Sequence, residues 1–381
     1  MNETGLEPAA QETTDEVKLK IIDADIHPRM NGMYQLHPYL SESWRKRMGV
    51  APLSSAKDPT TARNVFSIPK RWYYHPHGAE RPDALPPDGG RPGSSLDMLR
   101  SHHLDKYGVD TGVLIAGDLF GIGGLPDADM AAAFIAANND WLLHEWCEPE
   151  PRLKLAIHVG PRDPGLAVKE IERIGAHPSV VQVQIPQMDV LLGNRHYYPI
   201  YEAAEAMGLP IGMHGAGEGA GVNTPMNPTG IPAYYIEVHT GAVTIAQSQV
   251  ISLVCEGVFV RFPKLKVVFQ EMGYAWLPSI MWRFDQEWRS LRAEVPWLER
   301  PPSEYIVDHI RLTTQPIAEP PTNEDHRQIL RMAKAEKTLL FASDYPHWDF
   351  DNPRQVFQEV PDELRRRIYH ESAEELYGHK L

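Results

Sequence analysis

The sequence predicts an α/β fold of the (β/α)8 barrel type, a TIM barrel, with a long loop insertion after its first strand. Three observations predict it. Eight short apolar runs recur along the 381 residues, most of them separated by segments of helical periodicity. Strands that alternate with crossover helices build a parallel sheet, and eight in a chain of this length favour closure into a barrel over an open sheet. The first strand is followed by no Gly-x-Gly-x-x-Gly turn, so the dinucleotide signature of the open doubly wound sheet is missing. Finally, ligand-type polar residues end the runs and leave their interiors apolar, as expected where chemistry sits at the carboxyl ends of barrel strands.

The opening strand is Ile21-Ile22-Asp23-Ala24-Asp25-Ile26-His27, stopped by Pro28. Side chains alternate along a strand, so Asp25 and His27 share a face. A short helix is predicted within 34–48. Residues 49–95 read as a loop rich in Pro and Gly with aromatics between, the expected insertion, which suits a lid or a subunit contact. Ser95 reads as the N-cap of a helix over 96–107, with Leu96, Leu99 and Leu104 on one side. Further strands are predicted at 112–116, 153–159, 180–185, 210–214, 265–271, 310–314 and 338–344. Helices are predicted at 127–148, 164–174, 198–207, 236–259, 276–293 and 323–335, and around 352–358 and 361–369. The organisation expected is a floppy leader, 1–18, and a single catalytic domain, 19–381.

A formal charge of -14 argues against nucleic acid or an anionic membrane surface as a partner, since both would repel it. It leaves a small-molecule substrate, even an anionic one, because a local metal or arginine dominates a small pocket. The two cysteines, Cys147 and Cys255, have no metal-type spacing and read as thiols rather than a disulfide framework. The polar, acidic N-terminus carries no signal-peptide pattern, and no run reaches the length of a membrane span, so a cytoplasmic protein is expected.

The strand ends carry the chemistry. Asp25 and His27 close the first strand, His158 the third, Gln184 the fourth, His214 the fifth, Glu271 the sixth and Asp344 the eighth, with Thr314 and Gln315 near the end of the seventh. His27, His214 and Asp344 form the most economical ligand set for a divalent cation, and they leave positions open for a substrate. Asp25 is expected either as a fourth ligand or as the acceptor that orients His27. Water on such a cation ionises near neutral pH and becomes a nucleophile.

At these residues the chain resembles the amidohydrolase superfamily, in the branch of amidohydrolase-related proteins that includes aminocarboxymuconate-semialdehyde decarboxylase. The pieces that carry the resemblance are Asp25-Ile-His27, Gly212-Met-His214-Gly215, the run from Gly257 to Phe269, Met281-Trp-Arg-Phe-Asp285 and Ala342-Ser-Asp344-Tyr-Pro-His347, in the family's order. The resemblance implies one divalent metal, zinc first and manganese second. Asp25 and His27 match the family's first-strand metal pair, where relatives carry His-x-His or Glu-x-His. His214 matches the fifth-strand ligand, and Asp344 the eighth-strand aspartate that binds metal and shuttles a proton. It also implies a homodimer or homotetramer. One departure stands out: the decarboxylases of the branch carry a histidine after the sixth strand where this chain has Glu271.

That glutamate can take a proton from water but offers no positive charge to a carboxylated substrate. The expected function is therefore a metal-dependent hydrolase, in which activated water attacks a C–N, C–O or C–C acyl bond of a small cyclic or carboxylated molecule. Glu271 or Asp344 would take the water's proton. The alternative is a metal-dependent non-oxidative decarboxylase of an aromatic or muconate-type acid, with Asp344 protonating carbon. A third class, a barrel that binds or senses without turnover, keeps the same ligands. His239 is expected to reach in as a further catalytic group, and His158 and His347 to touch substrate.

Overall fold

The computed structural model describes residues 19–50, 80–87, 89–215 and 234–381. The predicted leader, most of the insertion and the segment 216–233 lie outside them. Eight strands form one parallel sheet in sequence order: β1 Ile22–Ile26, β2 Thr111–Leu114, β3 Leu153–His158, β4 Val180–Gln184, β5 Ile211–His214, β6 Val267–Gln270, β7 Ile310–Thr313 and β8 Leu339–Leu340. β8 is shorter than the apolar run predicted, because the chain beyond it leaves the regular ladder. It still closes the barrel: Ala24 N–H donates to Phe341 O at 2.9 Å, and His27 N–H to Tyr345 O at 2.8 Å.

The helices follow from local signals. Ser95, Asp127, Asp163 and Thr322 each accept a backbone N–H in the first turn of the helix they precede. The segment predicted as one helix over 96–107 is helical throughout, with a π turn at Arg100–Leu104. Two expectations fail. The segment 352–358 is a series of turns rather than a helix, and Phe357 within it takes a left-handed φ of 58° that a helix excludes. Conversely, Pro302–His309 is a helix that the sequence reading omitted. Its Pro301-Pro302 start looks like a breaker, yet a proline in the first turn costs no hydrogen bond.

The barrel interior is mixed. Ile22, Ala24, Val113, Ala156, Val268 and Leu340 belong to one buried apolar cluster, which Tyr377 from the C-terminal helix Ser372–Tyr377 joins. Tyr377 Oη donates to Gln182 Oε1 at 3.1 Å, Gln182 Nε2 donates to Gln184 Oε1 at 3.0 Å, and Gln270 Nε2 donates to Ala24 O at 3.1 Å. These bonds partner the buried amides of the interior, Gln184 Nε2 excepted. Gly212 on β5 makes room for them, since a Cβ there would lie 2.1 Å from Gln184 Oε1 and 2.2 Å from Gln182 Nε2. Among the described residues no helix is long and apolar enough to cross a membrane. Cys147 and Cys255 are unbridged.

Candidate metal centre and active site

Asp25 and His27 at the end of β1 do face one site, as alternation predicts. Asp23 does not join them, although strict alternation would put it on the same face. It contacts His103 at 2.8 Å and accepts from Ser343 instead, and a register shift between Asp23 and Ile26 separates it from Asp25. His27 Nδ1 lies 3.1 Å from Ile115 O, and His214 Nδ1 lies 2.9 Å from Gly215 O. A carbonyl only accepts, so both rings carry their proton on Nδ1 and leave the Nε2 lone pair for a ligand.

Those lone pairs converge on carboxylates. His27 Nε2 lies 3.1 Å from Asp25 Oδ1 and 2.9 Å from Asp344 Oδ1. His214 Nε2 lies 3.2 Å from Asp25 Oδ2 and 3.2 Å from Glu271 Oε2. Ligand atoms about 2.0–2.1 Å from a tetrahedral ion sit roughly 3.3 Å from one another, so the spacing suits a shared cation. Both oxygens of Asp25 and of Asp344, both Nε2 atoms and Glu271 Oε2 are buried with no hydrogen-bond partner. Orphaned polar atoms cost about 1–3 kcal/mol each when buried, a cost that a cation at their centre would remove. The donor set fits a divalent metal.

The charges agree. Burial disfavours charge on His27 and His214, but Asp25 outweighs it and raises both imidazoles above their ordinary range. The same two histidines hold Asp25 below the carboxylate range against its burial. The cluster asks for positive charge, which protons or a cation can supply. Asp344 behaves differently: burial outweighs His27 and pushes it up to about 7.

Two residues at strand ends take left-handed backbone conformations that non-glycine residues rarely adopt, Glu271 at φ 54° and Asp344 at φ 61°. Such strain collects where a side chain must be aimed. Glu271 follows β6 directly, its N–H held by Thr313 Oγ1 at 3.1 Å, and its two oxygens face different imidazoles. Oε2 faces His214, while Oε1 lies 3.6 Å from His239 Nε2. His239, on the helix Tyr235–Gly241, also lies 3.1 Å from Asp349 Oδ2, and these contacts with Asp349 and Glu271 push it up to about 10. Gln315 Nε2 donates to the same oxygen of Asp349 at 2.8 Å.

His347 stacks on His27 with ring centroids 4.5 Å apart, and its Nδ1 lies 2.7 Å from Asp344 Oδ1. Its Nε2 lies 3.1 Å from Arg29 Nη2, whose guanidinium also faces Glu80 and Asp118. Arg29 can only donate, so His347 carries its proton on Nδ1, and burial pushes this imidazole down to about 3. Phe120, on the turn Gly117–Gly124 after β2, stacks on His214 at 4.2 Å and walls the site.

Of the residues singled out in the sequence, Asp25, His27, His214 and Asp344 have ligand atoms within 4.8 Å of one another, as do His27, Glu271, Asp344 and His347. His239 joins Glu271 and Asp349 in a third such group. His158 joins none of the three. It is wholly buried, pushed down to about 3 by burial and then by His214 and His27, and its ring nitrogens have no hydrogen-bond partner. Sequence reasoning missed Phe120, Arg29 and Asp349. Asp349 carried a readable signal, since it follows Asp344 by five residues in the same segment. Phe120 and Arg29 carried none.

The profile of the amidohydrolase family matches residues 22–379. Among solved structures, the chain is similar to 5-carboxyvanillate decarboxylase from Sphingomonas paucimobilis, with 22% identity and a TM-score of 0.61 over 94% of this chain and 99% of that one. It is similar to an amidohydrolase from Mycobacterium avium subsp. paratuberculosis K-10, with 19% identity and a TM-score of 0.67 over 95% and 100%. It is also similar to a dihydroxybenzoic acid decarboxylase from Polaromonas sp. JS666, solved with bound manganese and the inhibitor 2-nitroresorcinol, with 18% identity and a TM-score of 0.57 over 94% and 96%. At these identities the likenesses speak for the fold.

Proposed function

The chain belongs to the amidohydrolase family, and from that footing we propose that it is a metal-dependent non-oxidative decarboxylase of a hydroxylated aromatic acid. The observation that carries the reading is the position of Asp344. Its carboxylate belongs both to the cluster with Asp25, His27 and His214 and to the cluster with His27, Glu271 and His347, so it stands between the cation position and the groups around it. The decarboxylases of aromatic acids among the structural neighbours support the same chemistry, and the manganese of one of them supports manganese ahead of zinc.

Asp25, His27, His214 and Asp344 would hold the cation. When bound, it supplies Lewis-acid charge that draws in the substrate's oxygens and offsets negative charge developing on the ring. Asp344 delivers a proton to the ring carbon that bears the carboxylate. The bond from that carbon to the carboxyl group then breaks, its electron pair returns to the ring, and carbon dioxide leaves. His347, its Nδ1 2.7 Å from Asp344 Oδ1, packs against Asp344, and Arg29 holds His347. The positive charge that Glu271 cannot provide comes from His239 beside it, so the substitution after β6 no longer argues against decarboxylation.

Carbon dioxide release from a panel of hydroxybenzoates by the manganese-loaded protein tests this reading. Hydrolysis is the second reading, and Glu271 favours it, because a carboxylate facing His214 is suited to accept a proton from water. Turnover of lactones or amides with no release from any hydroxybenzoate would select it and end the decarboxylase reading.

A further inference from the structure

Asp23, His103 and Ser343 have the composition of a nucleophilic triad but not its order. The carboxylate stands in the middle: Asp23 Oδ2 lies 2.8 Å from His103 Nε2 and accepts from Ser343 Oγ. All three side chains are wholly buried, so the hydroxyl is closed to a substrate. Two of the three adjoin the cation cluster in the chain. Asp23 stands two residues before Asp25, and Ser343 one before Asp344. Asp23 Oδ1 accepts Ser343 N–H at 2.9 Å and Asp25 N–H at 3.3 Å. Ser343 Oγ in turn accepts Tyr345 N–H at 3.2 Å, and Asp25 O accepts Asp344 N–H at 3.2 Å. The successive amides of 343, 344 and 345 are thus all held by β1 or by Ser343 itself, on both sides of a residue with a left-handed backbone. Such a backbone persists only where its surroundings over-determine it. We infer that Asp23 is a positioning residue for the cation site: through Ser343 it fixes the left-handed Asp344 against β1, so that Asp344 and Asp25 are set at the spacing a cation needs.

His103 completes the arrangement. A carboxylate has room for about four hydrogen bonds, and Asp23 takes them from two amides, a hydroxyl and an imidazole. His103 lies on the π turn Arg100–Leu104, a widening of the helix of a kind frequent near functional sites. Its Nδ1 is buried with no partner among the described residues, so the ring forgoes one bond to set Nε2 against Asp23. The same ring stacks on Tyr345 at 4.9 Å, the residue that follows Asp344.

The inference rests on the reading of Asp25, His27, His214 and Asp344 as a cation site, and the test separates the two. Mn2+ is titrated into the full chain and its variants, with free ion counted by electron paramagnetic resonance, at a temperature where circular dichroism shows each to be folded. Ser343→Ala removes the hydroxyl that links Asp23 to Tyr345 N–H, and Asp23→Asn turns an amide N–H2 toward Ser343 Oγ and His103 Nε2. Each should bind Mn2+ about 10–100-fold more weakly, the usual cost of losing a group that orients a ligand, and either suffices if the other fails to fold. Asn139→Ala, whose lost bonds go to β3 and Glu170, controls for instability alone and should bind as the unaltered protein does. Unchanged affinity in Ser343→Ala and Asp23→Asn, whatever the fall in Tm, makes the network merely structural and overturns the inference. Equal weakening in Asn139→Ala overturns it too. No Mn2+ bound by the unaltered protein overturns the reading of the cluster itself, and the positioning role with it.

Discussion

Glu271 faces His239 with Oε1 3.6 Å from Nε2, across the gap between the end of β6 and the helix Tyr235–Gly241. An imidazole from a different element thus stands beside the residue that follows β6. This pairing changes how Glu271 is read: with an imidazole on each of its two oxygens, it joins parts of the site. Its left-handed backbone is what aims it.

Asp344→Asn is expected to lower kcat on the order of 10²–10⁴-fold, the usual range for losing a positioned proton donor. Circular dichroism should be unchanged. Manganese content is measured alongside, because loss of the ion would mimic loss of the proton. A rate within a factor of a few of the unaltered protein, with metal bound, would remove Asp344 from the proton transfer.

Cation binding should stabilise the fold. Free Mn2+ at about 100 times its Kd adds about 2.7 kcal/mol through linkage, and chelation should reverse it. The rise in Tm should vanish in His214→Ala, whose first cluster loses an Nε2 ligand. An equal rise in that variant would put the stabilising ion somewhere other than this cluster.

Asn139 ties the helix Ala128–Leu142 to the end of β3. Its Oδ1 accepts from His158 N–H at 3.1 Å, and its Nδ2 donates to His158 O at 3.0 Å and to Glu170 Oε1 at 2.7 Å. Asn139→Ala removes the side-chain partner of the buried His158 N–H and C=O, at roughly 1–3 kcal/mol each, while Glu170 keeps Arg173. Urea denaturation should show the loss, and a change under about 0.5 kcal/mol, the range of neutral surface substitutions, would contradict the network.

Asp351 gives a pH signature. Burial pushes its carboxyl up to about 8, while Ile317 N–H donates to it at 3.0 Å. The folded chain therefore keeps a proton that the unfolded chain has lost. This contribution is full below the unfolded carboxylate pKa, falls by at most about 1.4 kcal/mol per pH unit above it, and is gone once pH passes about 8. Asp351→Asn removes the titrating group and keeps an acceptor for Ile317. Its stability relative to the unaltered protein should rise between pH 5 and pH 8 and then level off. A difference independent of pH would refute the buried neutral carboxyl.

The barrel was legible in the sequence because its signals are local. Apolar runs of strand length, N-cap residues such as Asp163 and the period of the helices between them are set by each residue's immediate neighbours. The four residues of the inner cluster were legible for a related reason: barrel geometry puts every strand's last polar residue at one end, so a list of strand ends approximates the list of residues that meet there. Asp25, His27, His214 and Asp344 follow from it.

What local signals could not decide is which side chains meet across the barrel. The separation of Asp23 from Asp25 depends on how β1 registers against β2, and strict alternation predicts the opposite. The contact of His239 with Glu271 and Asp349 joins a helix to the end of β6 and to the segment that follows β8. Phe120 against His214 and Arg29 against His347 are likewise meetings of distant segments. The sequence by itself determined the barrel and pointed to the residues of the inner cluster. Only the tertiary structure decided their outer neighbours, because those contacts arise from closure of the sheet and the packing of loops over its mouth.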